Sequence, residues 1–143
     1  MFRVLLLCRN NSVLSPMAEG YFRKYAGDAT EIYSAGIEKE KIDPVVITLL
    51  SEDGIDISKI KQHKIDEFKS VDFDFILTYD EESEIESHHL PSKPVKYHFD
   101  FHTLIPEDLN KSNKEEVYRR VRDKIKRTMR SFIRNHFSDP KPS

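Results

Sequence analysis

Residues 2–20 read FRVLLLC-RNNSVLS-PMAEG, and this stretch decides the fold. Phe2–Leu7 is a nearly unbroken apolar run, as expected of a strand covered on both faces. The run ends on Cys8, the only cysteine in the chain. A short polar loop follows, and Ser15-Pro16 marks a helix start. Serine caps a helix well, and proline at the first helical position loses no needed N–H. The pattern predicts a helix to about Tyr25, ended by Gly27.

A strand, an anion-sized loop and a helix N-terminus are a setting for a cysteine nucleophile. The thiolate is the reactive form. Unpaired N–H groups and the helix macrodipole favour negative charge there, so Cys8 is expected to be a low-pKa thiol. Asn10-Asn11 tolerates the left-handed backbone that a loop curled around an anion requires. Ser12 and Ser15 offer hydroxyls. The candidate oxyanion cradle is therefore Arg9, Asn10, Asn11, Ser12, Val13, Leu14 and Ser15. The bland alternative makes Cys8 a small buried hydrophobe and Asn10-Asn11 a plain turn. The combined pattern favours the cradle.

Elsewhere strand and helix signals alternate, which predicts an α/β domain with a parallel sheet. Glu31–Ser34 reads as a strand closed by Ala35-Gly36, and Asp43-Pro44 opens a helix that Gly54 stops. Asp72–Leu77 reads as a third strand, and Asp80 as the cap of a short acidic helix through Glu86. Val95–Tyr97 is a weak fourth strand. Asn113 is the expected cap of a long last helix, Lys114 to about Asn135. Its apolar stripe is Val117, Val121, Ile125, Met129 and Ile133 with Phe132 alongside, the face to dock on the sheet.

The 143 residues suit one domain, taken as 1–137, with 138–143 a flexible tail. A net charge of -2 gives no reason to expect attraction to nucleic acid or an anionic membrane. A single cysteine excludes an internal disulfide, a thiolate zinc cluster and a dithiol relay. Val4–Leu7 is too short for a signal peptide or a membrane span, and a cytoplasmic location is the default.

VLLLC-RNNSVLS-PMAEG resembles the opening of low-molecular-weight protein tyrosine phosphatases and the related thioredoxin-coupled arsenate reductases. The resemblance continues through YSAGI (Tyr33–Ile37), LSEDGIDIS (Leu50–Ser58), DFDFILTYD (Asp72–Asp80) and YHFDF (Tyr97–Phe101). It implies a three-layer fold: a four-stranded parallel sheet with helices on both faces and the site at the C-terminal edge of the first strand. It implies Cys8 as nucleophile, Asn11 as the loop-shaping asparagine, Ser15 as the thiolate's hydrogen-bond partner and Asp100 as the general acid. No metal or cofactor is implied.

The chain departs from that family at telling places. Leu14 stands where the family carries the arginine that grips two oxyanion oxygens. Losing one preorganised donor of that kind costs roughly 10²–10³ in rate. Arg9 is next to the cysteine, but a loop with inward N–H groups points its side chain outward, to the rim. Phe101 follows Asp100 where proline is usual. Tyr79 stands where thioredoxin-coupled reductases carry a redox cysteine. Reductase chemistry would then need an external thiol donor, such as glutathione or mycothiol.

Other features read as structural. His88-His89 are adjacent and chelate poorly, and His98 flanks Asp100 only as a loop residue. His102 is the one histidine placed to tune Asp100. The basic last helix is read as a solvated face rather than a nucleic-acid footprint. Two functional readings follow. One is a hydrolase or oxidoreductase that turns over a phosphotyrosine-type monoester or arsenate through Cys8. The other is a silent relative that binds an anion or a phosphorylated partner. Oligomeric state is not legible.

Overall fold

Residues 1–91 and 93–137 are described by the computed structural model; the tail assigned to 138–143 lies outside them. The chain runs β1 (Phe2–Cys8), α1 (Leu14–Ala26), β2 (Thr30–Gly36), α2 (Pro44–Ser51), β3 (Phe75–Thr78), α3 (Glu81–Ser87), β4 (Val95–His98) and α4 (Lys114–Phe137). The four strands form one parallel sheet in the order β2-β1-β3-β4. Parallel neighbours need crossovers, and α1, α2 and α3 supply them.

β1 is central, and its alternation divides the interior. Val4, Leu6 and Cys8 face a large core built with Met17, Tyr21, Phe22, Leu49, Leu50, Val121, Ile125 and Met129 from α1, α2 and α4. Leu5 and Leu7 face a smaller core with Ala35, Ile65, Phe73, Ile76 and Leu90. Both faces of β1 are covered, which is why its sequence is apolar without alternation.

The expected stripe of α4 is buried at Val121, Ile125, Met129, Phe132 and Ile133, joined by Tyr118 and Arg122. Val117 is only partly buried. The Arg122 guanidinium donates to the carbonyl of Leu49 at 3.0 Å and to Glu52 at 2.6 Å. A cation thus satisfies the C-terminal end of α2. Arg119 pairs with Glu52, Lys126 with Asp53 and Arg120 with Glu116. Much of the helix's basic charge is therefore neutralised within the fold.

Three local expectations are corrected. Helix α1 begins at Leu14, with Val13 in the capping position and no side-chain cap, so Ser15 lies inside the first turn. β3 begins at Phe75 rather than Asp72. The Asp74 carboxylate accepts the backbone N–H of Arg3 at 2.8 Å beside the ladder. The side chain of Asn113 turns away from α4 and accepts the N–H of Asn110 at 2.8 Å. Asp43 and Asp80 cap α2 and α3 as read, their carboxylates accepting from Val45 and Ser83.

Gly36 ends β2 directly opposite Cys8. A Cβ there would lie 2.3 Å from the carbonyl oxygen of Glu38 and 2.9 Å from backbone atoms of Asn10 and Asn11. All three neighbours are backbone and cannot rotate away. Gly36→Ala should therefore cost about 1–3 kcal/mol through overpacking, read as a lowered urea midpoint. An unchanged midpoint would mean that the loop after β1 gives way at no cost.

Candidate active site

The loop between β1 and α1 is built by its surroundings. Carbonyls of Cys8, Arg9, Asn10 and Ser12 accept N–H groups from Ile37, Glu38, Glu40 and Asp43. The Asn11 carbonyl accepts from the side chain of Gln62 at 3.0 Å. A trans peptide is planar, so each carbonyl held outward turns the next N–H inward. Of these, the Asn11 N–H is aimed at Cys8 Sγ and the Arg9 N–H at the Asp80 carboxylate. Asn11 makes the curl possible, at φ 53°. That is the left-handed region asparagine tolerates.

Cys8 sits at the centre of this curl. Its Sγ receives the N–H of Asn11 at 3.2 Å and lies 3.0 Å from Ser15 Oγ. Ser15 Oγ in turn donates to Asn11 Oδ1 at 2.6 Å. Ser15 serves the thiol from within the first helical turn, not as a cap. Burial pushes the Cys8 thiol up, and the negative charge of Asp80 adds to it, while Ser15 and the Asn11 N–H pull the other way. The net direction is upward, so the expectation of a low-pKa thiol is corrected. Desolvation of the thiolate outweighs the hydrogen bonds.

Above the loop lies a cavity of about 550 Å³. Val13, Leu14, Ile105 and Tyr118 give it apolar walls, and Glu40, Asp43, Asp80, Glu81 and Glu82 give it acid groups. Among the described residues, no three His, Cys, Asp or Glu side chains gather as metal ligands. No helix among them is long and apolar enough to cross a membrane.

The family model for low molecular weight phosphotyrosine protein phosphatase matches residues 3–139. The chain belongs to that family. An arsenate reductase of Halalkalibacterium halodurans is 33% identical over 129 residues, 90% of this chain and 93% of its own. One from Bacillus subtilis is 30% identical over the same shares. The crystal structure of the arsenate reductase from Archaeoglobus fulgidus superposes with a TM-score of 0.69 at 31% identity, covering 91% of this chain and 98% of its own. An arsenate reductase in a phosphate-binding state gives a TM-score of 0.73 at 24% identity, covering 94% and 98%, a likeness of fold.

Within this phosphatase family fold, the loop residues Cys8–Ser15 come together. Leu14 is buried and stands in the cavity wall, with no charge to offer. Arg9 turns its side chain outward to Glu82 at 3.1 Å, at the rim. Asp100 is not among the residues lining the cavity. Its exposed carboxylate meets His98 Nε2 at 2.6 Å. His98 Nδ1 lies 2.7 Å from Thr78 Oγ1 and 3.0 Å from Glu84. His98, rather than His102, is therefore the histidine that holds Asp100. His102 instead lines the cavity, with a buried Nδ1 that has no hydrogen-bond partner among the described residues. Tyr79 is fully buried, its hydroxyl 3.4 Å from Met129 Sδ and its ring stacked on Phe99 and Phe101.

Asp80 is the site residue that the motif reading missed. One oxygen caps α3 through Ser83 N–H at 2.9 Å, and the other accepts the N–H of Arg9 at 2.7 Å. A carboxylate of the chain itself thus engages one loop donor. The capping signal was legible; the loop contact was not.

Burial and Asp80 together set the behaviour of the thiol. The alkylation rate of Cys8 against pH should show a midpoint above that of free cysteine, about 8.5. Asp80→Asn keeps a good cap and removes the like charge, so it should move the midpoint down. A wild-type midpoint well under the free value would mean that the N–H groups outweigh burial.

Proposed function

We propose that this protein acts on a tetrahedral oxyanion through Cys8, with arsenate the first candidate and a phosphotyrosine-type monoester the second. The observation that carries this reading is the buried Cys8 thiol at the end of β1, its Sγ accepting the Asn11 N–H and lying against Ser15. Arsenate is placed first because relatives at 30–33% identity are arsenate reductases.

In this scheme the Cys8 thiolate attacks arsenic(V), and one As–O(H) bond breaks, its hydroxyl taking a proton from solvent and leaving as water. The N–H groups of Asn10, Ser12 and Val13 meet the remaining oxygens, and the Asn11 N–H holds the thiolate until attack. A first external thiol then attacks Sγ. The S–As bond breaks with its electron pair on arsenic, giving arsenite and a mixed disulfide on Cys8. A second thiol releases the symmetrical disulfide and restores Cys8. Two thiols are oxidised for one arsenate reduced. With no second cysteine in the chain, both must come from outside.

On a phosphoester, Asp100 is the proposed acid for the leaving oxygen. It would have to exchange its bond to His98 for one to substrate. Arg9 and Leu14 contribute backbone, not charge. The second reading, a silent relative that binds an anion or a phosphorylated partner, is favoured by two specific features: the apolar Leu14 wall and Asp80 on the Arg9 N–H.

Two results test this. With arsenate and excess small thiol, mass spectrometry should find a mixed disulfide on Cys8 while arsenite accumulates. Neither product at any thiol concentration would remove arsenate and leave the phosphoester and silent readings, which hydrolysis of an aryl phosphate then separates. Leu14→Arg should tighten phosphate or arsenate at least tenfold, about 1.4 kcal/mol, because a charge-assisted bidentate donor is restored. Equal affinities in calorimetry would show that residue 14 does not face the anion.

A further inference from the structure

We infer that His102 is the oxyanion donor that the loop cannot supply: its Nε2–H meets the outward oxygen of an anion held over Cys8. The inference rests on the reading of the Cys8 loop as an oxyanion site and names a further binding residue of that site.

Loop donors reach an oxyanion only from the floor of the cavity. The Asn11 N–H is committed to the sulfur and the Arg9 N–H to Asp80. Leu14 brings no charge to the wall, and the Arg9 guanidinium is held at the rim by Glu82. A tetrahedral anion seated on the remaining N–H groups still turns one oxygen toward the mouth. Most polar side chains that line the cavity beyond the loop are carboxylates, which accept when ionised and do not donate. The donors there are His102 and Tyr118. Tyr118 is buried on α4 with the Lys114 ammonium over its ring at 5.5 Å.

His102 is fixed in place before any ligand arrives. It lies in the short turn Phe101–Leu104, and its backbone N–H donates to the Tyr79 carbonyl at 3.4 Å. Phe101 beside it is buried, its ring stacked on Tyr79. The turn is thus pinned to the residue that precedes Asp80.

A histidine tautomer is assigned from its surroundings. The neutral imidazole has one N–H and one bare nitrogen. Nδ1 is buried and has no hydrogen-bond partner among the described residues. A proton there would be an orphaned buried N–H, which native structures avoid more strictly than an unpaired acceptor. Nε2, at the far tip of the ring, is not sealed from water and makes no hydrogen bond among the described residues. The proton belongs on Nε2, which makes the ring a neutral donor at its open end.

Inorganic phosphate, titrated calorimetrically into wild type and four single variants at one pH, tests this, with circular dichroism as the folding control. His102→Phe keeps a flat ring and removes the donor. His102→Gln sets an amide nitrogen where Nε2 lies, and His102→Asn sets one where Nδ1 lies. The Phe and Asn variants should bind at least about tenfold more weakly, the loss of one hydrogen bond to a charged group. His102→Gln and Tyr118→Phe should stay close to wild type. Phosphate binding by His102→Phe equal to wild type overturns the inference and leaves the loop reading intact. A Gln variant as weak as Phe, or a larger loss in Tyr118→Phe than in His102→Phe, overturns it as well. Long-range proton–nitrogen spectra of wild type, with His102 assigned by its absence from a variant, should show Nε2 protonated and shifted by phosphate. A proton on Nδ1, or an unmoved Nε2 while loop amides shift, overturns the inference without recourse to binding data. A wild type that binds neither phosphate nor arsenate at any concentration overturns this inference and the oxyanion reading together.

Discussion

The outward tethering of five consecutive carbonyls, Cys8 through Ser12, is the constraint on which the site depends. Four are held by backbone N–H groups of residues 37–43 and one by Gln62. The parallel register of β1 with β2 places those donors, since Cys8 faces Gly36 and the chain leaves β2 alongside the loop. Gly36 lets the two backbones approach. Sheet topology, one glycine and the tethered carbonyls thus set the course of the loop backbone. The loop sequence itself supplies little more than Asn11's tolerance of positive φ.

What a reader of the sequence could see follows from this division. The fold was legible because strand β1, the helix after it and the stripe of α4 are local patterns. The loop was legible because cysteine, asparagine and serine fall in a recognisable order. The contact between Arg9 N–H and Asp80 spans 71 residues of sequence and has no local signal. Ser-Pro is a common helix start and suggests a cap at Ser15; the helix begins two residues before Pro16, and the Ser15 hydroxyl goes to Asn11 and lies against the thiol. His98 and His102 were not separable from spacing alone. Only the end of β4 and the turn after it decide which one meets Asp100.

The thiol illustrates a competition that motif reading leaves out. A helix N-terminus and inward N–H groups favour the anion, while full burial and a neighbouring carboxylate oppose it. A loop arginine would shift that balance by adding a full charge beside the sulfur. With leucine at position 14 no such charge is present, and burial sets the direction. Under the proposed function, the same substitution would weaken oxyanion binding and quiet the nucleophile: one electrostatic deficit seen from the ligand and from the sulfur.

The two oxygens of Asp80 serve different masters, one the first turn of α3 and the other the first peptide after β1. Mechanically this makes α3 and the loop a single lever with a rigid pin. A tilt of the short helix cannot be absorbed by a flexible side chain in between, because an aspartate has only two rotatable bonds and both ends are fastened. Sequence drift is then unequal across the region. Glu84 and Glu86 on α3 can change with little consequence for the loop, whereas any change at position 80 alters the peptide beside the thiol and, where the new side chain cannot cap, the helix end as well.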